Sequence, residues 1–281
     1  MFTIVSKESI APSEFDIWIK APRIAQQAKA GQFAVLRLDE SGERIPLTIA
    51  DSDENKGLIR FIFQVVGKTT AKMSMLNIGE SILDILGPLG TPSKIKNYGS
   101  VLMIGGGVGI AALYPIIKAL KIENNRVITI LGGRTSDHVI MKDECAKYSD
   151  KLIITTDDGS EGTKGVVTDA IRALIKNGEN FDYSWCIGPT IMMKYCSLTA
   201  KEINLPIYVS LNSLMVDGTG MCGCCRVSID SKILFTCVDG PEFDGQKVDW
   251  NELMNRLKQY KTEENKSSEK YLSEVGEHPW L

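Results

Sequence analysis

Histidine is nearly missing from these 281 residues: only His138 and His278 occur, and neither sits in a recognisable ligand or acid–base motif. Both are expected to be ordinary surface residues. Basic runs are also missing, and the net charge is −3, which argues against a nucleic-acid or polyanion partner. No apolar stretch approaches the roughly 20 residues that span a bilayer. Met1 leads directly into an alternating strand pattern, without the charged and apolar regions of a signal peptide. The expectation is a cytoplasmic protein with no membrane contact. Internal repeats and long low-complexity segments are absent too. What is present is an ordinary apolar content of 43% and a length that suggests about two domains, each able to bury a core.

Seven cysteines are unevenly placed. Cys145, Cys186 and Cys196 lie in apolar segments, where a free thiol behaves as a small core residue. Cys222, Cys224, Cys225 and Cys237 crowd into a short stretch, which in a cytoplasmic chain reads as a metal site before it reads as disulfides. Adjacent Cys224 and Cys225 do not easily point at one cluster, so one of them is not expected to be a ligand.

Residues 1–97 read as strands: Phe2–Ser6, Phe15–Lys20, Gln32–Leu38, Leu58–Val66 and Ser81–Leu86 are rich in Val, Ile, Phe and Leu and are separated by Gly, Pro and Asp turns. With one helical run, Thr70–Asn77, this predicts a small antiparallel barrel. From residue 98 to 210, strands at Ser100–Ile104, Val127–Leu131, Leu152–Thr156 and Tyr183–Ile187 alternate with helices at Ala111–Leu120, Met141–Tyr148, Val166–Asn177 and Ile191–Glu202. Ile207–Leu211 offers a further strand. That alternation predicts a parallel α/β sheet. Residues 211–248 turn to Gly and Cys, and 249–281 predict an amphipathic helix (Asp249–Tyr260) and a charged tail ending in Pro279–Trp280–Leu281.

The sequence GGGVGIAALYPI begins at Gly105, between a strand and a helix. Glycines there let the backbone approach a pyrophosphate, while the helix N-terminus supplies free N–H groups. Gly107, Gly109 and Ala112 meet the GxGxxG/A form, with Gly105, Gly106 and Val108 completing the loop. An acidic residue does not end the second strand, which runs into Gly132, Gly133, Arg134 and Thr135. Other strand ends carry Asp157, Asp158 and Gly159 in TTDDGS, and Gly188 and Pro189 in CIGP. Ligands of open α/β sheets lie beyond such ends. A nucleotide cleft is the expectation.

ERIPLTI (Glu43–Ile49), VVGKTT (Val65–Thr70) and GPLG (Gly87–Gly90) complete a pattern that resembles the ferredoxin–NADP reductase superfamily. The resemblance implies a β-barrel FAD domain, an α/β nucleotide-binding domain and, here, a small C-terminal [2Fe–2S] subdomain. It places Pro46, Leu47 and Thr48 on a motif whose hydroxyl meets the reactive flavin nitrogen. The motif's cation falls at Ile45, with Arg44 one residue upstream. Phe63, Gln64, Gly67, Thr69 and Thr70 are the expected remaining flavin contacts. Cys186 resembles the superfamily cysteine beside the nicotinamide, and a plain core thiol is the competing reading. NAD(H) is the expected nucleotide, although Arg134, Thr135 and Ser136 leave NADP(H) open.

Within the superfamily the chain resembles electron-transfer subunits with a C-terminal [2Fe–2S] cluster. One branch serves dihydroorotate dehydrogenase type B. The other is the small subunit of NADH-dependent reduced ferredoxin:NADP oxidoreductase, a flavin-based electron-bifurcating heterodimer. Plant-type cluster spacing is C-x4-C-x2-C…C, and here it reads Asp217-x4-Cys222-x2-Cys225-x11-Cys237. Aspartate in the first place resembles the second branch and implies Asp217, Cys222, Cys225 and Cys237 as ligands. The rival reading leaves Asp217 as a turn residue, with water, Cys224 or a partner group completing the set. The resemblance further implies hydride exchange between NAD(H) and FAD, single-electron transfer through the cluster, ferredoxin as a redox partner, and a large glutamate-synthase-like subunit carrying FAD and [4Fe–4S] clusters. Trp250–Tyr260 and Pro279–Leu281 would suit a subunit contact. A flavin-free zinc module using the same cysteines is the reading of another class.

Overall fold

The computed structural model describes residues 1–276 and 278–280; Leu281 lies outside them. In the first half, alternation along each strand separates a barrel interior from an outer wall. Along Leu58–Gln64, the side chains of Ile59, Phe61 and Phe63 are buried in the barrel core, whereas Arg60, Ile62 and Gln64 face outward. One sheet runs in the order Asp51–Asp53, Leu58–Gln64, Glu14–Lys20, Phe2–Ala11, Ser81–Ile82. The other runs Arg44–Thr48, Phe33–Arg37, Asp84–Leu89, and every pairing in both is antiparallel. Pro46 lies on the edge strand Arg44–Thr48, the position in a sheet that tolerates a residue without an N–H.

The outer wall is not solvated. Ile62 and Ala50 pack into the same cluster as Ile110, Ala111 and Leu113 of the following half. Beside them the Arg60 guanidinium donates to Asp16 at 2.6 Å and to Glu144 at 2.7 Å. Arg60 and Asp16 are each 8% exposed, so this ion pair is satisfied inside the interface.

The second half is a seven-stranded sheet in the order Thr163–Lys164, Lys151–Thr156, Arg126–Gly133, Ser100–Gly106, Tyr183–Ile187, Ile207–Ser210, Glu242–Asp244. All neighbours are parallel except the last strand, which comes from the Gly- and Cys-rich segment. Helix Gly109–Ile122 buries the stripe Ile110, Leu113, Ile116, Ile117 and Leu120 against one sheet face. Helices Val167–Lys176 and Thr190–Glu202 cover the other. From Ser100–Gly106 the chain builds outward in one direction and then returns to Tyr183–Ile187 on the opposite side. The carboxyl ends of these two strands form the topological switch point, where a ligand crevice opens.

Helix Trp250–Arg256 is capped by Asp249, whose carboxylate accepts from the N–H groups of Asn251 and Glu252 at 3.0 and 2.9 Å. A second helix, Lys261–Val275, returns to the barrel beside Lys68–Met75 and buries Tyr271 in its core. Trp280 meets Phe15 edge-on at 6.3 Å. His278, expected on the surface, is instead buried with its ring 3.4 Å from the Ser74 hydroxyl, because this helix carries the chain back across the barrel. No helix among the described residues is long and apolar enough to cross a membrane.

Candidate functional site

A cleft of about 1160 Å³ opens at the switch point and is walled by both halves. Its nucleotide wall is mostly backbone. Gly107 has φ +53° and open space where a side chain would stand, so the chain turns sharply and still admits a ligand. A Cβ on Gly109 would lie 2.6 Å from the Gly188 Cα, which shows how tightly the two loops approach. Gly106, Val108, Gly133, Arg134, Asp157, Gly188 and Pro189 complete the predicted part of this wall.

The barrel wall brings Ile45, Pro46, Leu47, Thr48, Phe63, Gln64 and Thr70 to the same space. The Thr70 hydroxyl accepts from the N–H of Val66 at 3.0 Å and of Gly67 at 3.2 Å, fixing the turn into helix Lys68–Met75.

Other expected residues do not reach the cleft wall, each for a local reason. Arg44 is exposed on the edge strand. Gly67 lies in the turn held by Thr70, and the Thr69 hydroxyl donates to Glu43 at 2.7 Å. Gly105 is a packing glycine: its missing Cβ would meet Ile110, Leu113 and Leu131. The Thr135 hydroxyl is 2.9 Å from His138 Nδ1. Asp158 closes its own turn by accepting from the N–H and hydroxyl of Ser160 at 3.0 and 2.7 Å, with Gly159 inside that turn. Cys186 corrects the nicotinamide expectation. Its thiol is fully buried against Cys196 in the core, and this burial holds it protonated well above the usual thiol range.

The cleft also has walls that motif reading missed. His138, expected at the surface, lines it, as do Met192, Tyr195 and residues 210–213. The last group continues the carboxyl end of strand Ile207–Ser210, a position that the strand-end rule applied to the other strands would have marked.

Below the barrel wall lies the cysteine segment. Strands Arg226–Ile229 and Lys232–Phe235 form a hairpin closed by Asp230 and Ser231, both at positive φ. The hairpin accounts for the x11 spacing, since it sets Cys225 and Cys237 side by side with sulfurs 3.2 Å apart. Both are buried in one cluster with Phe33 and Val35, and Phe33 also lines the cleft. A single side-chain layer therefore separates the cysteine pair from the flavin-side wall.

Asp217 and Cys222 meet through the backbone of the loop. The Asp217 carboxylate accepts from Thr219 N–H at 3.0 Å and Cys222 N–H at 3.1 Å, and these bonds, the Thr219 one foremost, hold its pKa below the usual value. Cys224 lies between these residues: its N–H donates to the Cys222 sulfur at 3.4 Å, and its carbonyl accepts from Arg256 at 2.9 Å. Among the described residues no three His, Cys, Asp or Glu side chains gather as around one metal ion. Cys225 with Cys237, and Asp217 with Cys222, are thus neighbours in the fold, and thiols are the donor type that a binuclear cluster takes.

The cleft's polar atoms fit a dinucleotide. Among the described residues only three buried side-chain polar atoms lack a partner: Glu14 Oε2, Thr155 Oγ1 and Arg37 Nε. Glu14 and Thr155 both line the cleft, one on each wall. Buried polar groups normally find partners, so two orphans on residues that line one cavity point to a polar ligand there.

A barrel joined to a switch-point α/β sheet through one cleft defines the ferredoxin–NADP reductase-like class of flavin and nicotinamide oxidoreductases. A ferredoxin reductase from carbazole 1,9a-dioxygenase shares this fold at TM-score 0.62 and 16% identity, covering 74% of this chain and 67% of that one. The iron–sulfur cluster binding domain of dihydroorotate dehydrogenase B matches residues 212–249, and the oxidoreductase NAD-binding domain matches 103–197. The dihydroorotate dehydrogenase B (NAD(+)) electron transfer subunit homolog of Thermotoga maritima is 56% identical over 98% of this chain and 96% of its own length. A solved structure of NADH-dependent reduced ferredoxin–NADP oxidoreductase, described in terms of flavin-based electron bifurcation, is 55% identical with TM-score 0.92, covering 97% of this chain and 98% of that one. The chain belongs to the family of dihydroorotate dehydrogenase B-type electron-transfer subunits, and it is an oxidoreductase component of that kind.

Proposed function

We propose that this chain is the small, flavin and iron–sulfur electron-transfer subunit of an NADH-dependent ferredoxin:NADP oxidoreductase. The carrying observation is the continuity of one cleft with the cysteine pair: Thr48 and the Gly106–Gly109 loop share the cavity, and Phe33 joins it to Cys225 and Cys237. FAD supplies the two-electron to one-electron conversion, nicotinamide the hydride, and the [2Fe–2S] cluster the single-electron store. Thr48 orients the flavin by hydrogen bonding, the Gly106–Gly109 backbone binds the nucleotide diphosphate, and apolar Phe33, Ile45, Leu47 and Ile187 exclude water. Asp217 with Cys222, and Cys225 with Cys237, are the donor pairs for the two irons. In this reading the functional division is 1–97 flavin, 98–210 nucleotide, 211–248 cluster and 249–281 C-terminal helices.

A large glutamate-synthase-like subunit bearing FAD and [4Fe–4S] clusters is the proposed partner in a cytoplasmic heterodimer, with ferredoxin as a redox partner. Exposed Val216 and Met221 beside the cluster loop support a protein contact there. The second reading, a dihydroorotate dehydrogenase partner, is favoured by the family match over 212–249. Aspartate at position 217 argues against it.

Flavin absorption together with an electron paramagnetic resonance signal on reduction is the expected result for the purified protein. A colourless protein with one zinc overturns the redox reading. Asp217→Cys should keep the cluster with a shifted potential, and an unchanged potential and spectrum would remove Asp217 from the ligand set. Native co-purification with a dihydroorotate dehydrogenase would decide for the second reading.

A further inference from the structure

The strand Glu14–Lys20 carries two carboxylates on the same outward face, and they are treated very differently. Asp16 is 8% exposed and bound by the Arg60 guanidinium through three contacts of 2.6–3.0 Å. Glu14 is only 1% exposed, yet its Oε2 has no partner. On the neighbouring strand, Ile62 lies opposite Asp16 and Gln64 opposite Glu14. Ile62 packs among Ile110 and Ala111 at the start of the nucleotide helix, so the Glu14–Gln64 rung is where the packed interface opens into the cleft.

We infer that Glu14 anchors a bound dinucleotide through one of its sugar hydroxyls, either the ribose of the nicotinamide nucleotide or the ribityl or ribose group of FAD. The inference rests on reading the cavity as a dinucleotide cleft. A buried carboxyl without a partner destabilises the fold, and nothing in the protein uses this one. A phosphate beside it would be repelled as soon as it ionised. A sugar hydroxyl both donates and accepts, so it satisfies the carboxyl in either protonation state. Position agrees as well. Glu14 shares its part of the cleft with Gln64, Val66 and Thr70, at the turn where the barrel would hold a diphosphate, and sugars flank the diphosphate in both dinucleotides.

The test compares Glu14→Leu and Glu14→Gln in the full-length, FAD-loaded protein, with Glu14→Ala as a second apolar variant should Leu not fold. Three quantities are read: the NADH dissociation constant, the rate of FAD release on dilution, and the thermal midpoint of flavin-stripped protein. The apolar variants should weaken NADH binding or speed FAD release about tenfold, and raise the flavin-free midpoint by removing the orphan. Which of the first two moves identifies the sugar. Gln keeps a donor and an acceptor and should stay within about twofold of wild type. Unchanged NADH binding and FAD release in the apolar variants would overturn the inference, as would a loss in Gln equal to that in Leu. Failure of the wild type to bind either dinucleotide would instead sink the reading of the cleft.

Discussion

The two walls of the cleft are built on different principles. The nucleotide wall is mostly backbone at its loops: Gly106, Gly107, Gly109, Gly132 and Gly188 line it without side chains, and Gly109 approaches Gly188 so closely that a methyl group would not fit. The barrel wall and the cysteine loop beneath it are side chains: Glu14, Thr48, Gln64 and Phe33 on the wall, with Cys225 and Cys237 beneath. Backbone recognition is rigid and shared by any dinucleotide, whereas side-chain recognition can be changed one residue at a time. The first wall should therefore fail as a unit, and the second piece by piece.

The largest effect is expected in the cysteine loop. Cys225→Ser or Cys237→Ser removes one of two paired sulfurs, and the cluster should be lost altogether. NADH binding at the other wall should stay within about twofold, because an exchange of one thiol leaves the glycine loops untouched. Iron analysis and NADH titration of one preparation check both halves of this statement. Parallel loss of NADH binding would break the distinction between the walls.

Gly109→Ala attacks the other wall. The new methyl meets Gly188 Cα at 2.6 Å and Ile187 carbonyl oxygen at 2.7 Å, backbone atoms that cannot swing aside. A stability loss of about 2–3 kcal/mol is expected, from overpacking that moves the whole crevice. NADH affinity should fall at least about tenfold with iron content preserved. Chemical denaturation and equilibrium titration measure these.

The barrel wall should show itself in pH dependence. Burial pushes the Glu14 carboxyl up to about 7, against 4.5 for an ordinary glutamate. Between those values the folded chain holds a proton that the unfolded chain has released, so stability falls as pH rises. The contribution is full below pH 4.5 and gone above about 7, and it amounts to roughly 2 kcal/mol once water in the cleft is allowed for. Glu14→Gln should flatten this part of the stability curve of the flavin-free protein. An identical slope in both proteins would show that Glu14 does not titrate in this window.

The same contrast explains what was legible in the sequence. Glycine spacing exposes a backbone wall directly: Gly107 and Gly109 with CIGP point to a nucleotide cleft at the strand ends. Strands with one buried face were equally plain, as at Leu58–Gln64. Tyr183–Ile187 was also found as a strand, but both its faces are packed, and alternation could not say which one Cys186 joins. Glu14 was invisible because a glutamate at the start of a strand reads as solvent-facing, whereas it is 1% exposed in the fold. Arg44–Thr48 stands out in the sequence as a motif, with Thr48 as a strand residue paired across the barrel the competing reading, and it is in fact an edge strand. The burial of His278 depends on a helix returning to a barrel more than 180 residues earlier in the chain, which no local pattern records.

The smallest effect tests whether the walls are independent or merely adjacent. Arg60 lies on the outer face of the barrel strand Leu58–Gln64, and Glu144 on the short helix Lys142–Lys147 of the nucleotide half, so their 2.7 Å contact crosses between the halves. The Glu144 side chain is 40% exposed, and water already screens it. Glu144→Gln should therefore cost under about 1 kcal/mol. Arg60 would remain held by Asp16, its buried partner, so no uncompensated charge is created. If the walls are held together mainly by Ile62, Ala50, Ile110 and Ala111, NADH affinity and iron content should both be unchanged in this variant. A drop in NADH affinity larger than the stability loss would mean that the charge contact, and not the apolar packing, sets the spacing of the cleft.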